Sequence, residues 1–127
     1  MSYTALVLDD ASKAKLMELL NPLISLWKDW KINCHHMTIN LGDAASGPAA
    51  DLVGQQFDMI IQSIATDDRV VAVGIESDCP SKNAIKHITV AVNVNGGGKA
   101  KHSNKLTNWT PLVKPLIVLR GTVEVVQ

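Results

Sequence analysis

Two short runs in this chain repeat one pattern: His36-Met37-Thr38-Ile39 and His87-Ile88-Thr89-Val90. Only four histidines are present, so two of the four have a threonine at the second following position. On an extended strand alternate side chains share a face, which sets each imidazole beside a hydroxyl and turns Met37 or Ile88 to the opposite side. Either run alone reads as a strand histidine next to a residue of good strand propensity. Their recurrence points to chemistry that uses two imidazoles and two hydroxyls.

Phosphoryl transfer can use this pair of pairs directly. An imidazole titrates near pH 6.5, so one copy can accept a proton from an attacking hydroxyl while the other delivers one to the leaving oxygen. The threonine hydroxyls can donate to the non-bridging oxygens, where charge builds up as the bond breaks. This scheme assigns His36 and His87 as acid and base and Thr38 and Thr89 as phosphate ligands, and it requires neither metal nor cofactor.

The elements that must position these residues follow from local patterns. Residues 3–9 read as a buried strand; Asp9 or Asp10 then caps a helix in which Leu16, Leu19, Leu20 and Leu23 recur at helical spacing up to Pro22 and its neighbours. Lys31 to Leu41 reads as a strand closed by Gly42, with a small, polar loop through Ala50. Residues 57–66 and 70–77, rich in Ile and Val and separated by Asp67-Asp68-Arg69, read as a hairpin. A turn over 78–83 leads to a strand over 86–93, Asn95-Gly96-Gly97-Gly98 breaks the pattern, Ser103 to Trp109 forms a helical turn, and Pro115 to Val126 is a last strand. Strands with few helices between them give the α+β class, a mainly antiparallel sheet, in one domain over residues 1–127.

Composition limits the partners. The 127 residues suffice for one core, and no run approaches the ~20 apolar residues of a membrane helix, nor does the start resemble a secretory signal. A cytoplasmic protein with Cys34 and Cys79 as free thiols is expected. Net charge is zero, yet residues 1–78 carry eleven Asp or Glu against five Lys or Arg, whereas residues 79–127 carry seven Lys or Arg against Glu124 alone. Such asymmetry suits a small anionic ligand, while a long nucleic-acid duplex calls for a strongly basic domain.

With its flanks, the first run reads His36-Met37-Thr38-Ile39-Asn40-Leu41-Gly42. It resembles the His-x-Thr-Leu-x-Phe-Leu-Gly signature of the two-histidine (2H) phosphoesterase superfamily, which includes LigT-like RNA phosphodiesterases, cyclic phosphodiesterase domains of RNA-repair ligases, and phage enzymes that destroy cyclic nucleotide signals. His87-Ile88-Thr89-Val90 resembles the second motif. Asn40 and Leu41 depart from the small-then-Phe pair, and 51 positions between the histidines mark a compact member. The resemblance implies a bilobal fold whose lobes each give one motif strand to a central cleft. It also implies hydrolysis of a nucleotide or oligonucleotide phosphodiester, such as a 2′,3′-cyclic phosphate, a 2′,5′ linkage or a cyclic oligonucleotide. The alternative on the same fold is a module that binds or sequesters a nucleotide without turning it over.

Several other residues carry expectations. Gly96-Gly97-Gly98-Lys99 lacks the spacing and the Ser or Thr of a P-loop; it reads as a flap beside the cleft, with Lys99, Lys101, Ser103 and Asn104 placed to meet ligand phosphates. Trp109, within the basic half, can stack on a base. His35 alternates with His36 and is expected on the far face of the strand, in a structural role. A metal site from Cys34, His35, His36 and His102 is disfavoured because adjacent strand residues diverge.

Overall fold

The computed structural model describes residues 3–41, 47–48, 50–112 and 117–126. In chain order the elements are β1 (Tyr3–Leu8), α1 (Asp10–Ile24), β2 (Lys31–Ile32), β3 (His36–Leu41), β4 (Gln56–Thr66), β5 (Val70–Glu76), β6 (His87–Val92), β7 (Thr110–Pro111) and β8 (Val118–Val126). The architecture is α+β, with an antiparallel sheet as its main element.

Asp9 caps α1, its carboxylate accepting from the Ser12 N–H at 2.7 Å; that bond holds the Asp9 carboxyl below its ordinary range. Leu16 and Leu20 enter the core from this helix, and Ser12 and Lys15 fasten it to β8 through the Arg120 N–H and the Val118 carbonyl. Pro22 lies inside the helix near its end.

The sheet closes on itself. Strands run β6-β3-β1-β8-β4-β5, and β5 pairs again with β6. Met37 opposite Ile88 is the register pair that joins β3 to β6. Both side chains are fully buried, with Ile39, Val73, Val90 and Leu119 in the same core. A smaller cluster of Val70, Ala72, Val92 and Leu106, with Trp109 against it, covers the other side of β5. This explains why β5 is buried along almost its whole length.

Local expectations change in two places. The single strand expected over Lys31 to Leu41 is two, because Cys34 takes a left-handed backbone (φ 47°). Lys31 and Ile32 pair with Val92 and Ala91, and the next pairing with β6 is Met37 with Ile88; residue numbers sum to 123 before the break and 125 after it, a bulge of two extra residues. The helical turn expected from Ser103 is a 3-10 turn over Ala100–Lys105. The last strand is seen from Val118, and its expected start at Pro115, like the Gly42 stop, lies outside the described residues.

Candidate active site

The antiparallel pairing at Met37 and Ile88 fixes the geometry of the site. On either side of a buried register pair the next residues point to the opposite face. This places Thr38 alongside His87 and His36 alongside Thr89. The two His-x-Thr runs are thus related by a local two-fold, and all four side chains line one cavity of about 240 Å³. Its remaining wall includes Tyr3, Asn33, His35, Asn83, Lys101 and Asn104.

The two imidazoles are held differently. Nδ1 of His87 lies 2.7 Å from the Ile85 carbonyl oxygen; a carbonyl only accepts, so Nδ1 carries the hydrogen and a neutral His87 presents a bare Nε2. Nδ1 of His36 lies 2.9 Å from Nδ1 of His35, and the Tyr3 ring stands 5.2 Å from that of His36. Burial, reinforced by the charges of His35 and His87, lowers His36 from 6.5 to about 4. Burial also lowers His87, opposed by the hydrogen bond to Ile85. At pH 7 the cavity therefore holds two neutral motif histidines.

Thr89 Oγ1 is 2.8 Å from the Oγ of Ser103, which is fully buried on the 3-10 turn. Ser103 is thus placed to orient a hydroxyl of the quartet. It lines a second recess of about 90 Å³ together with Trp109, Leu106 and Ile85, and His87, Asn83 and Asn104 border both spaces. The Trp109 ring lies 6.2 Å from that of His87, with its N–H given to the Leu106 carbonyl.

Of the expected phosphate contacts, Lys101 and Asn104 reach the cavity and Lys99 does not; Lys99 begins the turn, and its N–H donates to His102 Nδ1. The glycines themselves stand away from the cavity. Gly98 packs on the Arg69 and Asn93 carbonyls, and the turn Ala100–Lys105 gives Ala100, Lys101 and Asn104 to the cavity wall. Among the described residues of the basic half, only Lys101 delivers its charge to the cavity: Lys86 donates to the Ser77 carbonyl and Arg120 pairs with Asp58. Cys34 and Cys79 are free, buried thiols that burial pushes up to about 11.

His35 corrects the sequence reading. It was expected on the far face, but the bulge at Cys34 breaks strict alternation, and His35 is exposed at the cavity mouth. Tyr3, Asn33 and Asn83 were also missed. They come from β1, the bulge and the 78–83 turn, and no local pattern ties them to the motif strands. Among the described residues no helix is long and apolar enough to cross a membrane. Compared with family models, curated proteins and solved structures, the chain matches none.

Proposed function

We propose that this protein is a metal-independent phosphodiesterase acting on a small nucleotide or oligonucleotide, with His36 and His87 as the acid/base pair. One observation carries the reading: two His-x-Thr pairs, 51 residues apart in sequence, flank a single register pair and line the same cavity. A phosphate seated between them would have an imidazole on each side of the in-line path and a hydroxyl for each non-bridging oxygen. Lys101 adds one positive charge. The cavity's size suits a 2′,3′-cyclic phosphate, a 2′,5′ linkage or one phosphate of a cyclic oligonucleotide better than a duplex.

The test is an assay in EDTA on that panel of substrates, with His36→Ala and His87→Ala beside the wild type. Each substitution should lower kcat by about 10²–10⁴-fold; equal activity in all three proteins refutes the assignment. A second reading draws on the low proton affinity of His36. A cavity whose two motif histidines are both neutral at pH 7 suits a module that binds the nucleotide without cleaving it. Tight binding by calorimetry with no product in any assay would select that reading.

A further inference from the structure

A neutral His36 raises the question of where the leaving oxygen obtains its proton. Among the described residues the cavity wall has no carboxyl group. The titratable side chains that face His36 are Tyr3 from β1, His87 from β6, Lys101 from the 3-10 turn, and His35. His87 is committed as an acceptor by its bond to the Ile85 carbonyl. His35 is the one whose ring nitrogen is in hydrogen-bond contact with His36, at 2.9 Å with the rings edge to face at 82°.

We propose that His35 is a positioning and relay residue: its Nδ1–H donates to Nδ1 of His36, so that His36 offers Nε2–H to the leaving oxygen and His87 acts as the base. This rests on the phosphodiesterase reading. The direction of the bond follows from solvation, because His36 is the less exposed of the two rings and the costlier place for a charge.

The step balances. The attacking water or hydroxyl gives its proton to Nε2 of His87 as its oxygen bonds to phosphorus. The bond from phosphorus to the leaving oxygen breaks, and that oxygen takes the Nε2 proton of His36 while Nδ1 of His36 takes the shared proton from His35. His36 stays neutral throughout, and one positive charge passes from His35 to His87. The cycle resets when water protonates Nε2 of His36, the Nδ1 proton returns to His35, and His87 releases its proton. A group whose affinity for a proton is pulled down to about 4 can serve as acid in this way without ever storing a charge.

The experiment compares wild type with His35→Gln, whose side-chain amide can still donate to His36 but holds no acidic proton. Two substrates are used: a 2′,3′-cyclic nucleotide, whose alkoxide must be protonated, and a nucleoside p-nitrophenyl phosphodiester, whose phenolate leaves unaided. His35→Gln should lower kcat on the first by about 10²-fold, with KM little changed, and leave the second within about threefold. Equal losses on both, or none on either, overturn the proposal. In parallel, ¹⁵N imidazole NMR of the wild type at pH 7 should find His36 protonated on Nε2 with Nδ1 accepting; a hydrogen on Nδ1 of His36 overturns the proposal. The NMR result does not depend on turnover. A protein inactive on both substrates would sink the phosphodiesterase reading and the relay with it, while the NMR decides separately whether His35 donates to His36.

Discussion

A half-buried, neutral His36 makes the fold itself sensitive to mild acid. Its proton affinity falls from 6.5 to about 4 on folding, so the unfolded chain binds the proton first as pH drops. The stability that the neutral ring confers is fully present above the unfolded value and is lost as pH falls from about 6.5 through about 4. At pH 5 the unfolded ring is almost wholly protonated and the folded one hardly at all, which amounts to about 2 kcal/mol, rising to about 3 kcal/mol below pH 4. His87, shifted the same way, adds to the slope. Asp9 and Asp67 do not enter this window: their lowered carboxyls contribute stability above the ordinary 3.8 and lose it only below. Urea unfolding of wild type and His36→Gln at pH 8 and pH 5 isolates the effect, since Gln does not titrate. The wild type should lose about 2 kcal/mol more than the variant between the two pH values. A difference within about 0.3–0.5 kcal/mol of zero refutes the burial argument for His36.

Other expectations follow from the same geometry. Thr38→Val and Thr89→Val should each lower kcat by about 10²-fold in the substrate panel, through loss of a donor to the phosphate oxygens. Ser103→Ala removes the partner of Thr89 Oγ1; stability should fall by about 1 kcal/mol in thermal unfolding, with kcat reduced far less than in Thr89→Val. Ile88→Ala empties one half of the buried register pair behind the quartet, and denaturation should report a loss of about 2–5 kcal/mol. At Gly98 an added Cβ would overlap the Arg69 carbonyl oxygen and come within 2.8 Å of that of Asn93, so Gly98→Ala should destabilise by about 1–3 kcal/mol. Gly97→Ala meets open space but a φ of 84°, for about 1–2 kcal/mol.

Much of the scaffold was legible because it obeys short-range rules. The Asp9 cap, the leucine spacing of α1, the hairpin across Asp67-Asp68-Arg69 and the strand before the glycines each depend on residues within a turn or two of one another. The pairing of imidazole with hydroxyl was equally local, since a period of two along a strand puts residues two apart on one face. The charge asymmetry did not say which lysine faces the cavity, because net charge carries no direction; Lys101 does, whereas Lys86 turns to a backbone carbonyl.

By itself, then, the sequence determined what each motif strand offers: His36 with Thr38, and His87 with Thr89, each backed by an apolar residue for the core. Only the tertiary structure decided that Met37 meets Ile88, because pairing between residues 51 positions apart depends on closure of the whole sheet. Only it decided that His35 shares a hydrogen bond with His36. A left-handed residue at Cys34 inserts a bulge, and a bulge suspends the alternation from which the sequence reading had placed His35 on the far face. The differences between the two histidines have the same origin: the Ile85 carbonyl fixes one ring and a neighbouring imidazole holds the other, and neither partner is implied by the His-x-Thr pattern itself.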